Sequence, residues 1–141
     1  MRLTGHLLLA VVLCVQPVVL QAQNNAVTAT SPTGKMLAVG DKDTIRLVDA
    51  ATQKDVAAMK AHIGAVTALA FSPDGKLLAS GGDDKTICLW SADTGKQLRK
   101  FAGHQAGIAA VSFSADGATL TTRDNNQKTH VWELATGKQL Q

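Results

Sequence analysis

Cysteine is scarce in this chain of 141 residues, which has two, Cys14 and Cys88. Cys14 falls in an N-terminal stretch that reads as removable, so Cys88 is left without a partner and an internal disulfide is excluded. Flanked by Ile87 and Leu89, Cys88 reads as a small core residue and not as a reactive thiol. Charge of one dominant sign is also missing, since 14 Lys and Arg stand against 11 Asp and Glu, well mixed along the sequence. Nothing therefore resembles a nucleic-acid stripe, which would cluster its cations on one face. Apolar positions three and four apart are not sustained in any window, which argues against amphipathic helices. Long apolar runs are absent as well, apart from one at the N-terminus.

That run, Leu7 to Leu20, is fourteen residues long, is preceded by Arg2 and His6, and is followed by Gln21-Ala22. A charged region, an apolar region and a small residue in this order make a secretory signal peptide over residues 1–22. Fourteen residues, interrupted at Gln16-Pro17, fall short of the roughly 20 that a spanning helix requires, so no stable membrane span is expected. The expected location is secreted or periplasmic, with a membrane tether as the outcome if the segment is not cleaved. Leu13 before Cys14 does not suit a lipid-anchor site, which takes a small residue there.

What the sequence does contain is a repeated phrase. Ser72-Pro-Asp-Gly75 leads to Trp90, Ser114-Ala-Asp-Gly117 leads to Trp132, and a worn copy stands at Ser31-Pro-Thr-Gly34. His62 and His104, Trp90 and Trp132, and Thr94-Gly-Lys96 and Thr136-Gly-Lys138 are each 42 residues apart by subtraction. A period of about 40–45 residues matches one four-stranded propeller blade. Within the second copy, Ala65 to Phe71, Lys76 to Ser80, Thr86 to Trp90 and Gln97 to Ala102 read as short strands. They are separated by Ser72-Pro-Asp-Gly75, Gly81-Gly-Asp-Asp84 and Asp93-Thr-Gly95, which carry turn chemistry. Four such strands make an antiparallel meander whose faces are covered by neighbouring units.

These residues resemble the WD-repeat family of β-propellers, from Ala26 to the C-terminus. The resemblance implies an all-β fold of three four-stranded antiparallel blades, an incomplete propeller spanning 23–141 with blades at about 26–60, 65–102 and 108–141. The last strand of the third blade is expected to be short. The resemblance further implies a hydrogen-bonded set inside each blade. By position this set is His62, Ser80, Asp84 and Trp90 in the second blade, and His104, Thr122, Asn126 and Trp132 in the third. A buried indole and imidazole each need a partner, since an unsatisfied buried polar group costs about 1–3 kcal/mol. In the first repeat Lys42 and Val48 stand where the acid and the tryptophan would be, and the histidine position falls at Gln23 to Ala26, so apolar packing must serve alone.

His62, Ser80 and Asp84 are also the residue types of a hydrolase triad. Their expected place inside a blade, beside an indole and away from substrate, assigns them a structural role, and no catalytic residue is nominated. His62, His104 and His130 lack zinc-ligand spacing, and Asp41, Asp43, Asp83 and Asp84 read as solvated turn acids, so neither metal nor cofactor is expected.

Propeller rims present loops on which partners dock. Ile63, Asp83, Gln105, Arg123 and Asn125 are the candidate partner-binding residues, and the expected function is a non-catalytic protein-interaction scaffold. Propellers have about 4–8 blades, so three leave a ring open, and a dimer of this chain would supply six. The alternative is a fragment, or a docking or sensory appendage, of a longer WD-repeat protein with an enzymatic domain elsewhere. A binder that uses the central channel is disfavoured, because Ala65 to Ala70 and Gly107 to Val111 offer small apolar groups and one threonine.

Overall fold

The computed structural model describes residues 27–141, and the signal-peptide segment lies outside them. Eleven strands and no helix are present among the described residues. The first sheet contains β1 (Val27–Thr30), β2 (Met36–Asp41), β3 (Thr44–Asp49) and β4 (Asp55–Lys60), paired in that order. The second contains β5 (Val66–Phe71), β6 (Leu77–Gly82), β7 (Thr86–Ser91) and β8 (Gln97–Ala102), and the third β9 (Ile108–Phe113), β10 (Thr119–Asp124) and β11 (Thr129–Glu133). Every pairing is antiparallel. The expected architecture of successive meander blades is therefore present and the ring is not closed, with one correction to the strand count. The third sheet has three strands, and its fourth is reduced to a bridge between Trp132 and Gln139, backed by the amide of Leu140 donating to the Val131 carbonyl.

The repeated Ser-x-x-Gly turns have a local cause. Ser72 Oγ donates to Asp74 Oδ1 at 2.5 Å and accepts from the Leu77 amide at 3.0 Å, while Asp74 Oδ1 accepts from the Lys76 amide. Gly75 closes the turn with φ of 74° and donates to the Ser72 carbonyl, a left-handed conformation that a side chain would disfavour. Ser114, Asp116 and Gly117 repeat the arrangement one blade later.

The core lies between sheets, where the apolar faces of successive blades meet. Ala38, Ile45, Leu47 and Met59 of the first blade meet Val66, Leu78, Cys88 and Trp90 of the second. Ala68, Ala79, Ile87, Leu89 and Phe101 on the far side of the second blade meet Ile108, Leu120 and Trp132 of the third. Because side chains alternate along a strand, one face of the second blade receives the preceding blade and the other receives the next. The inner strands follow the same order, with β5 packed on β1 and β2, and β9 packed on β5 and β6. Thr67 stitches that inner layer, donating to the Ile108 carbonyl at 2.5 Å with the Gly81 carbonyl at 3.2 Å. The one polar side chain expected to face a channel is thus engaged with backbone.

Candidate functional site

In the second blade, β6 carries Ser80 and β7 carries Trp90, while His62 comes from the loop before β5 and Asp84 from the β6–β7 turn. Lys85 turns that corner with φ of 70°. The Trp90 indole donates to Ser80 Oγ at 2.9 Å, and Ser80 Oγ lies 2.9 Å from His62 Nε2. His62 Nδ1 lies 3.0 Å from Asp84 Oδ1. With His62 neutral and Asp84 ionised, the three contacts are satisfied when the indole donates to the hydroxyl, the hydroxyl donates to Nε2, and Nδ1–H donates to the carboxylate. Asp84 also accepts from the Thr86 hydroxyl at 2.8 Å and from the amides of Ile63 and Thr86, each at 3.2 Å. Thr86 was not among the residues nominated from the sequence; a threonine two after a turn acid is the signal that could have found it.

The charges follow this geometry. Burial is the main influence on His62 and pushes its imidazole below the ordinary 6.5, although Asp84 pulls the other way. Burial also acts most strongly on Asp84, raising it, but the hydrogen bonds from Thr86 and from the Ile63 amide together hold the carboxyl below its ordinary 3.8. A neutral histidine donating to a carboxylate results, in agreement with the proton arrangement above.

The third blade repeats the chain of contacts with a different acid. Trp132 donates to Thr122 Oγ1 at 2.9 Å, and Thr122 Oγ1 lies 2.7 Å from His104 Nε2. His104 Nδ1 contacts Asp124 Oδ2 at 3.1 Å. Asn126, expected in this role from its offset, is not in it; its amide donates to Asp124 Oδ1 at 2.9 Å, as does the amide of Lys128. The reason lies in β10, where Leu120, Thr122 and Asp124 alternate onto one buried face, so the strand itself carries a carboxylate to the histidine. The corresponding place in β6 is Gly82, where an added Cβ would lie 2.7 Å from His62 Cγ. Burial raises the Asp124 carboxyl most strongly, and the bonds from His104, Lys128 and Asn126 outweigh it and hold the group below 3.8.

His130 stands where Cys88 does in the second blade and stacks on Trp132, with ring centroids 5.8 Å apart and planes inclined by 13°. Its ring is 4.1 Å from that of His104, a proximity that the sequence separation hid. Both nitrogens of His104 are already engaged, and among the described residues no group of three His, Cys, Asp or Glu is arranged to hold a metal. The first blade has neither tryptophan nor histidine in these positions and packs through Ile45 and Leu47, both fully buried. Ser80 is likewise fully buried, and its oxygen takes the indole proton, so the His62, Ser80 and Asp84 set is built as a clamp and has no open nucleophile.

Above these networks the loops meet at a rim. Ile63 is 90% exposed, yet its amide is held by Asp84. The Asp83 amide donates to the Ala65 carbonyl and the Asn125 amide to the Gly107 carbonyl, both at 2.9 Å. Gly107 sits between the two side chains, since a Cβ there would lie 3.1 Å from both Asp83 Oδ1 and Asn125 Nδ2. Asp83 and Asn125 are thus brought together across two blades, with Ile63 and Gln105 exposed on the adjoining loops. Arg123 is not part of this rim. It lies on β10 and, with Ala110 and Ser112 of β9, Thr121 of β10 and Thr129 of β11, lines a depression on the outer face of the third blade.

Comparison with known proteins agrees with this architecture. The family model "WD domain, G-beta repeat" matches residues 53–91 and 95–133, together more than half of the chain. No curated protein matches. Among solved structures, "Structure of U3-55K" superimposes with a TM-score of 0.78 at 23% identity over 82% of this chain and 37% of that one. "Crystal structure of RRP9 WD40 repeats" gives the same values, 0.78, 23%, 82% and 37%. At that identity the likeness concerns the fold alone, and the chain spans little more than a third of either structure.

Proposed function

The chain belongs to the WD domain, G-beta repeat family, and on that premise we propose that it is a non-catalytic platform for protein–protein interaction. The observation that carries this reading is Ile63, a large aliphatic side chain almost wholly in water on a loop whose amide is pinned to the buried Asp84. A loop whose backbone is anchored beforehand has less freedom to lose on binding, which favours affinity. Asp83 adjoins Gly64, the residue after Ile63, and Asn125 adjoins Asp83 from the next blade, a combination suited to an apolar anchor with polar groups nearby. The expected readout is capture of a protein from an extracellular or periplasmic extract by the wild-type chain and at least tenfold less by Ile63→Asp/Asp83→Arg/Asn125→Arg. Equal capture by both proteins would remove the rim from consideration.

Export is proposed on the pattern of residues 1–22 alone. Fractionation of cells that express the full chain tests it, and retention of the uncleaved chain in the cytoplasm would contradict it. A second reading, a fragment of a longer WD-repeat protein, is favoured by the 37% coverage of the solved structures. Peptides from the native protein that extend past Gln141 would support that reading. Completion of the ring by a second copy follows from the blade count, but it requires the outer face of the third blade to accept another blade. The residues on that face weigh against it.

A further inference from the structure

Both blade-to-blade contacts are made the same way. The face that receives the next blade is lined by Ala38, Ile45 and Leu47 in the first blade and by Ala79, Ile87 and Leu89 in the second. Each face also has a glycine on its second strand, against which the first residue of the arriving blade packs. A Cβ on Gly40 would lie 2.9 Å from Val66 Cγ1, and one on Gly81 would lie 2.7 Å from Ile108 Cβ. The contact thus depends on the absence of a side chain, because such distances are closer than packed carbon atoms allow.

The third blade presents the corresponding face with different chemistry. Counting the 42-residue period, Thr121 stands for Ala79, Thr129 for Ile87 and Arg123 for the docking Gly81. With Ser112 beside them, this face carries one guanidinium and three hydroxyls where the second blade carries Ala79, Gly81 and Ile87. A blade that arrived as Ile108 does on Gly81 would meet a guanidinium and its stem, and would have to strip water from that charge and from the hydroxyls of both threonines. Unpaired polar and charged groups resist such burial.

We infer that the outer face of the third blade is a solvent-facing cap, with Arg123 in the docking position barring a further blade or a second copy of this chain from that face. A polar outer face is what the terminal unit of a stacked array needs to remain soluble. A six-bladed ring of two chains cannot close through this face, and the array stands as an open arc on that side.

The test places a thiol on the face itself. In the full chain carrying Cys14→Ser and Thr129→Cys, maleimide labelling is followed as protein concentration is raised from about 1 to about 200 µM, where mass action would reveal self-docking. The expected result is fast labelling of the introduced thiol at a rate that changes less than about twofold across this range, with Cys88 unreacted. Labelling reads this face and is blind to contacts made elsewhere on the chain. Protection of the introduced thiol by about tenfold or more as concentration rises would overturn the inference. A second variant, Thr121→Ala/Arg123→Gly/Thr129→Ile, restores the residues of the second blade, and its association constant in sedimentation is expected to exceed wild type by at least about tenfold. A variant that associates no more than wild type would also overturn the inference, because those three side chains would then not be what keeps the face open.

Discussion

Gly82 and Asp124 stand at the same place in successive blades, at the end of the second strand, and only Asp124 supplies the carboxylate that its histidine contacts, at 3.1 Å. In the second blade that carboxylate comes from the turn, two residues further on, at Asp84. Asp124→Asn is therefore expected to lower the denaturation midpoint clearly, because it removes the charged acceptor of His104 and of two backbone amides. Asn126→Ala is expected to leave the unfolding free energy within about 0.5 kcal/mol of wild type, as for an ordinary surface change. The reverse ranking of the two variants in urea would contradict the assignment.

How far the sequence speaks is clearest at these two positions. The 42-residue spacing locates His104, Thr122 and Trp132 correctly, because all three sit on or beside strands whose registers are repeated. It fails at Asn126 because a turn is not bound to strand register: β10 runs straight into Asp124, and the turn beyond it is free to hold a different residue. Alternation from Leu120 through Thr122 was the available signal, since it puts Asp124 on the same face. Arg123, expected at the rim, is sent by the same alternation to the opposite face. Contacts such as His130 against His104 within the third blade, or Gly81 against Ile108 between the second and third, join residues far apart in sequence and have no local signal.

Ser80→Ala removes one oxygen that serves two buried neighbours. The Trp90 indole loses its acceptor and His62 Nε2 loses its donor, both at 2.9 Å. A loss of about 1–3 kcal/mol is expected from leaving buried groups unsatisfied. Equilibrium unfolding in urea reads it, and a loss below about 0.5 kcal/mol would mean that water replaces the hydroxyl.

Acid should weaken the fold. Burial holds His62 below 6.5 in the folded chain, so the unfolded state binds a proton there more readily, and stability is full above 6.5 and declines as pH falls below it. Asp84 and Asp124 lie below their ordinary 3.8, so their contribution is present above 3.8 and is lost at lower pH as the folded carboxylates protonate. All three signs agree. The urea midpoint is expected to fall as pH goes from about 7.5 to about 5, and His62→Gln should show a shallower slope over that range. A midpoint that rises on acidification would refute the linkage.

Cys88 should be inert while the chain is folded. The thiol is fully buried, and burial pushes it up to about 11, so thiolate is scarce near neutral pH. In a Cys14→Ser background, a thiol reagent is expected to leave Cys88 unmodified in buffer and to label it fully in denaturant. Labelling at the same rate in both would place the residue outside the core.

Gly81→Ala tests the docking contact directly. The added Cβ would fall 2.7 Å from Ile108 Cβ, and because Ile108 is itself fully buried between the second and third blades, it has no free space into which to retreat. Overpacking of this kind costs about 1–3 kcal/mol. Ile108→Ala alone should cost about 2–5 kcal/mol through the cavity it leaves. If the two residues press on each other as the structure has them, the double variant loses less than the two single losses added together, by a coupling of about 0.5–3 kcal/mol. Arg123→Ala, at the matching but exposed position of the third blade, serves as the control and should stay within about 0.5 kcal/mol of wild type. A neutral Gly81→Ala would show that the blades can shift apart to admit a side chain, and an arginine in that place would then be no obstacle to a fourth blade.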